Sequence, residues 1–115
     1  MATITAPTEL FTLVNVFTVD PADQQQLCDH LCAVTEDLIR HLPGFVSATF
    51  HLGLDGRTVI NYAQWRSQED FRAMHADPRL QDHFDHCRRV SRPAPVLCSV
   101  ERTFDGPGAA ADGAA

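Results

Sequence analysis

Lysine is missing from this chain of 115 residues: all nine basic residues are arginine, a bias that fits a GC-rich coding sequence. Positive charge of any kind is scarce. The formal charge is -6 and the pI near 5.3, so neither nucleic acid nor an anionic membrane surface is expected as a partner. No apolar run approaches the ~20 residues that a membrane-spanning helix needs. The start, Met-Ala-Thr-Ile-Thr-Ala-Pro, lacks the basic-then-apolar order of a signal peptide, and a cytoplasmic location is expected. Cys28, Cys32, Cys87 and Cys98 show no zinc-type pairing. In a reducing cytoplasm scattered cysteines are usually small buried hydrophobes, and all four are expected to be structural. Cys28 and Cys32 lie one helical turn apart, but no matching pair completes a metal site, and His83 with His86 and Cys87 makes only a weak triad. No loop has the spacing of a phosphate cradle. The expected cofactor is none.

A chain of this length is one domain, and a domain so small buries only roughly two-thirds of its unfolded surface. A ligand cavity would strain a monomer, so a pocket would favour an oligomer. Residues 1–8 and the Gly/Ala-rich residues 105–115 cannot bury enough apolar surface to order themselves and are expected to be disordered. The compact domain is expected over residues 9–104.

Two strand-like runs carry the most information. In Leu10 to Val19 a period of two puts Phe11, Leu13, Asn15 and Phe17 on one face; in Arg57 to Trp65 it puts Val59, Asn61, Ala63 and Trp65 together. Two amides thus point at a core. A buried amide without a partner costs about 1–3 kcal/mol, so the pair implies either a private hydrogen bond or a polar ligand held between them.

The rest of the chain is punctuated clearly. Asp20-Pro21 opens a helix whose apolar face is Leu27, Leu31, Val34 and Leu38, and Pro43-Gly44 ends it. Phe45 to Leu52 alternates, with Val46, Ala48, Phe50 and Leu52 expected on the asparagine side, and Asp55-Gly56 supplies a hairpin turn. Ser67 with Asp70 caps a second helix, and Asp77-Pro78 opens a third carrying Leu80, Phe84 and Cys87 to about Val90. Pro93 and Pro95 are expected to delay the last strand to Val96–Phe104. The order predicts an α+β fold: a ferredoxin-like split βαβ unit with a four-stranded antiparallel sheet and helices on one face. The other face, with Val14, Val16, Ile60 and Tyr62, is too apolar to stay wet, so a sheet-to-sheet homodimer is expected.

Leu-Val-Asn-Val-Phe-Thr-Val around Asn15, Pro-Gly-Phe-Val after the first helix, and Val-Ile-Asn-Tyr-Ala-Gln-Trp followed by Ser67 and Phe71 resemble the antibiotic-biosynthesis monooxygenase family over residues 10–104. The nearest likeness is to its small anthrone oxygenases of aromatic-polyketide pathways. The resemblance implies a dimeric α/β barrel that oxidises an anthrone-type or phenolic intermediate to a quinone with molecular oxygen, using no metal, flavin or haem. It implies that Asn15 and Asn61 hold substrate oxygens and the developing anion. Trp65 would be the active-site indole, and His83 a histidine entering the cavity that could take the substrate's proton. Phe17, Phe50, Phe71, Met74 and Phe84, core by default, would also wall the pocket. One branch of the family carries a tyrosine where Phe71 stands and an arginine near Phe84; this chain lacks both, which aligns it with the branch relying on two asparagines and a tryptophan.

Other readings use the same residues. A haem-degrading relative would take His83 as axial ligand, but the tryptophan such enzymes carry on the second helix has no counterpart beside Met74 and His75. A barrel that only binds an intermediate, or a cyclase, needs no more than the apolar pocket.

Overall fold

The structure, a computed structural model, describes residues 10–108. The expected arm at residues 1–8 and the tail beyond residue 108 lie outside the described residues. Four strands, β1 (Phe11–Val19), β2 (Phe45–Leu52), β3 (Thr58–Trp65) and β4 (Ser91–Cys98), form one antiparallel sheet in the order β2-β3-β1-β4. Three helices, α1 (Gln24–Asp37), α2 (Gln68–His75) and α3 (Gln81–Val90), accompany it. This is the expected ferredoxin-like split βαβ arrangement. Among the described residues, no helix is long and apolar enough to cross a membrane.

The helix starts follow their capping residues. Asp20 and Asp77 each accept a hydrogen bond from the backbone N–H two residues on, at Ala22 and Arg79, and each is followed by proline in a 3-10 turn leading into α1 or α3. Ser67 Oγ accepts from the Asp70 N–H at 3.1 Å and donates to the Asp70 carboxylate at 3.0 Å, which fixes the first turn of α2. At the β2–β3 hairpin, Gly56 takes φ +77° and Asp55 accepts from the Arg57 N–H and the Thr58 hydroxyl.

Two expectations are corrected. The last strand begins at Ser91, directly after α3, and ends at Cys98; residues 99–104 lie outside it. Pro93 and Pro95 sit inside the strand because β4 is at the sheet's edge: two residues apart, both nitrogens point away from β1, where no ladder bond is required. In β2 the register slips between Phe45 and Ser47. Val46 is the extra residue of this bulge and is 40% exposed, while Phe45 pairs with Trp65 and takes the inward position expected of Val46.

The apolar packing falls into two clusters. Toward one end, Phe17, Val19 and Val59 pack on Leu27, Cys28 and Leu31 of α1 and Cys87 of α3. Toward the other, Trp65, Met74 and Leu80 gather Phe11, Phe45, Phe71 and Phe84, with Val34 and Leu38 from α1. Between them the inner face carries Asn15 opposite Asn61 and Leu13 opposite Ala63, with Ala48 beside Ala63. Amides and short side chains leave the space between the clusters unfilled.

Gly44 makes the tightest approach in the connection to β2. Its φ is +82°, and a Cβ there would overlap the Asp70 side chain that completes the Ser67 cap. Gly44→Ala is expected to cost about 2–3 kcal/mol, the left-handed backbone contributing about 1–2 and the disturbed cap about 1. Urea unfolding of a double-mutant cycle checks this: in an Asp70→Gly background, which also removes the Asp70 Cβ, the penalty should shrink to the backbone share alone. An equal penalty in both backgrounds would remove Asp70 from the argument.

Candidate active site

The gap between the clusters is a cavity of about 600 Å³ between the inner face of the sheet and the helices. All nine residues singled out in the sequence line it: Asn15, Asn61, Trp65 and His83, with Phe17, Phe50, Phe71, Met74 and Phe84. The strand register explains the convergence of the first three. Asn15 and Asn61 are direct partners across the β1–β3 pair, and Trp65, four residues on from Asn61, points to the same side.

The amides did not form a private hydrogen bond. Asn15 Oδ1 and Asn61 Oδ1 are both buried without a partner. Leaving two such acceptors unmet in an apolar wall carries an energetic cost that only a bound polar group or water would offset. An amide presents a donor and an acceptor, so the pair can address oxygens of either character.

Trp65 is 1% exposed and stands edge-on to Phe45, with centroids 5.4 Å apart, and to Phe71 at 6.4 Å. It is a core anchor and a cavity wall at once. Phe71 also stacks obliquely on Phe11 at 5.1 Å, and Phe84 lies nearly parallel to His75 at 4.9 Å. Aromatic faces therefore dominate the end of the cavity formed by β3, α2 and α3, which suits a flat ring system.

His83 enters from α3. Its Nδ1 lies 2.8 Å from Nε2 of His30 on α1, and His86 is the next ring beyond His30, at a centroid distance of 4.5 Å. Burial, reinforced by the charges that His30 and His86 would carry, holds the His83 pKa down from 6.5 to about 4. Burial also lowers that of His30, with His86 adding to it. Both imidazoles are thus neutral near pH 7, and His83 retains a lone pair to accept a proton. Burial raises the Cys87 and Cys28 thiols to about 11, so neither is a thiolate nucleophile at neutral pH.

Several lining residues were missed in the sequence. Arg72 and Arg88 line the cavity, where no carboxylate does among the described residues. Arg88 also pairs with Asp85. Neither arginine has an apolar-face signature that could have flagged it. His30 did have one: it lies three residues after Leu27 and four before Val34 on the apolar stripe of α1, a polar interruption of the same kind as the two asparagines.

The imidazole pair makes stability depend on pH. Between about pH 6.5 and 4 the unfolded chain binds a proton at position 83 that the folded chain refuses, so stability is full above this window and falls as pH drops through it. Thermal melts from pH 7.5 to 4.5 should show His83→Gln losing less of its midpoint temperature on acidification than the parent. Identical slopes would mean that His83 titrates normally.

The site can be set beside known proteins. Residues 10–86 match the antibiotic biosynthesis monooxygenase family. The chain is 69% identical over 104 residues to tetracenomycin-F1 monooxygenase of Streptomyces glaucescens, covering 90% of this chain and 93% of that one. Among solved structures it is similar to the ActVA-Orf6 monooxygenase of Streptomyces coelicolor, determined with nanaomycin D. That likeness has a TM-score of 0.76 and 33% identity, over 84% of this chain and 91% of that one. It is also similar to SnoaB, a cofactor-independent oxygenase of Streptomyces nogalater, with a TM-score of 0.72 and 27% identity over 86% of this chain and 100% of that one. Fold, cavity and sequence agree, and the chain belongs to the antibiotic biosynthesis monooxygenase family.

Proposed function

We propose that this chain is a cofactor-independent monooxygenase that oxidises an anthrone-type or phenolic aromatic polyketide intermediate to a quinone with molecular oxygen. The observation that carries the reading is the pair of asparagines, Asn15 and Asn61, that line an aromatic-walled cavity while each keeps an amide oxygen buried without a partner. The relatives support it: one acts on tetracenomycin F1 by its name, and another is described as a cofactor-independent oxygenase.

The chemistry asks little of the protein beyond position and charge. The central methylene of an anthrone is acidic because its carbanion spreads over flanking phenols and a carbonyl, so the substrate itself can supply electrons to oxygen. Neutral His83 would take the methylene proton. Oxygen then adds at the carbanion carbon, the resulting peroxide is protonated, and loss of water with the remaining hydrogen leaves a carbonyl. The balance is CH₂ plus O₂ to C=O plus H₂O. Asn15 and Asn61 would hold the substrate's oxygens and the anion as it develops, an oxyanion-hole role carried by amides. Phe17, Phe50, Phe71, Met74 and Phe84 with the Trp65 ring would fix the plane of the substrate. Arg72 at the cavity wall would favour an ionised phenol, while Arg88 is already paired with Asp85.

The assembly proposed is a homodimer joined through the outer face of the sheet. On that face Gln64 is fully buried; its Nε2 donates to Thr12 Oγ1 at 3.3 Å while its Oε1 has no partner. Val14, Val16, Ile60 and Tyr62 extend the same face. Four free cysteines suit a reducing compartment, and a cytoplasmic location is proposed with it.

Asn61→Ala should lower turnover of an anthrone more than it weakens binding, raising the barrier by about 2–4 kcal/mol as for loss of an oxyanion donor. Trp65→Phe keeps a stacking face and loses the indole N–H, so a smaller effect is expected. Phe71→Tyr should give no gain, because no phenolic donor is called for. Oxygen uptake and product formation by metal-free protein are the measurements, with thermal melts as the check on folding. Unchanged turnover in a folded Asn15→Ala, Asn61→Ala double variant would end the catalytic assignment and favour a barrel that only binds its ligand. Sedimentation at micromolar concentration tests the assembly: a dimer is expected, and a stable monomer would refute it.

A further inference from the structure

Three donors meet where α1 faces α3. His30 Nε2 is 2.8 Å from His83 Nδ1, Cys87 Sγ is 3.9 Å from that same nitrogen, and all three potential ligand atoms lie within 4.8 Å of one another. Around a tetrahedral zinc ion, with Zn–N near 2.0–2.1 Å and Zn–S near 2.3 Å, such donors stand roughly 3.3–3.6 Å apart. The imidazoles must part slightly and the thiol close by about an ångström, movements within reach of side-chain rotation. We propose that His30, His83 and Cys87 form a binding site for a thiophilic divalent cation of the Zn²⁺ type, with a fourth coordination position open to the cavity.

The donor set argues for this class of ion. Two imidazoles and a thiol bind Zn²⁺ or Co²⁺ well, whereas Mg²⁺ and Ca²⁺ take oxygen ligands. The imidazoles need not be stripped of a charge-bearing proton at neutral pH, since both are held neutral. The N–H shared between His83 Nδ1 and His30 Nε2 moves to the far nitrogen of its own ring when both near nitrogens turn to the ion. The buried thiol must ionise, so binding releases one proton, from Cys87, to the buffer. His83 and Cys87 both line the cavity, which leaves the remaining coordination position on the cavity side.

Such an ion is an inhibitor and not a cofactor. It occupies the lone pair with which His83 would accept the substrate's proton and leaves a net single positive charge, after the Cys87 thiolate is counted, against the cavity wall. This consequence rests on the proposed oxygenase chemistry; the binding site itself does not.

Cobalt provides a readout independent of activity. Full-length protein stripped with a chelator and titrated with Co²⁺ should develop a thiolate-to-cobalt charge-transfer band in the near ultraviolet and strong visible bands of a tetrahedral site. The signal should saturate at one ion per chain and be displaced by Zn²⁺. Cys87→Ser should abolish the charge-transfer band, and His30→Ala should weaken Co²⁺ binding at least about tenfold. Cys32→Ser, an exposed control, should leave the spectrum unchanged. Absence of the band in the parent protein overturns the proposal, as does a band that survives Cys87→Ser or disappears in Cys32→Ser. If Cys87→Ser does not fold, His30→Ala decides: undiminished affinity there is equally fatal. Zn²⁺ should suppress oxygen uptake reversibly, and His30→Ala should need at least about tenfold more Zn²⁺ for the same fractional loss. A parent protein that gives the cobalt band but consumes no oxygen with any anthrone would refute the oxygenase reading and leave the metal site standing.

Discussion

Asn15 and Asn61 face each other across β1 and β3 with their oxygens buried and unmatched, and the rest of the inner face is arranged around that pair. An apolar residue at either position would join the Phe17 cluster to the Trp65 cluster and close the core. With amides there, and with Ala48 and Ala63 beside them, the core stays divided and the space between is a cavity. Hydrophobic burial on either side supplies the stability, so that the centre can carry polar groups that weaken the fold locally. Preorganisation follows from the same division: each amide sits on a strand paired on both sides, so little reorganisation is needed when a ligand arrives.

The helices complete what the strands begin. Phe71, Met74 and Phe84 close the aromatic end, while α1 reaches over with His30 to meet His83. That contact joins residues 53 positions apart in sequence and sets the electrostatic character of the wall. Two imidazoles side by side in a partly buried place resist protonation, so this stretch of the wall is uncharged at neutral pH. The cationic groups, Arg72 and Arg88, are exposed residues at its margin.

The period-two reading of β1 and β3 was enough to place Asn15, Asn61 and Trp65 together, because alternation alone decides which face a strand residue occupies. The helix starts were legible from Asp20-Pro21, Ser67 and Asp77-Pro78 for a similarly local reason. What escaped depends on neighbours distant in sequence. Pro93 and Pro95 read as strand breakers until β4 is known to be an edge, and the bulge at Val46 emerges only when β2 is laid against β3. His30 escaped because an imidazole on an apolar stripe gains meaning only from its partner on another helix. The fold was thus legible to within a few residues, and so was the cavity lining on the strands, α2 and α3, but not His30 or the two arginines.

The two irregularities that sequence reading missed lie on opposite borders of the sheet. The bulge in β2 twists one border out of register, and the prolines of β4 remove two hydrogen-bond donors from the other. Neither border offers an unbroken row of backbone groups onto which another chain could add a strand. Ribbon-like growth by edge-to-edge pairing is therefore resisted at both ends, an advantage for a small domain with an open interior. The proposed homodimer uses the broad outer face instead, where a two-fold pairing would close on itself and not propagate.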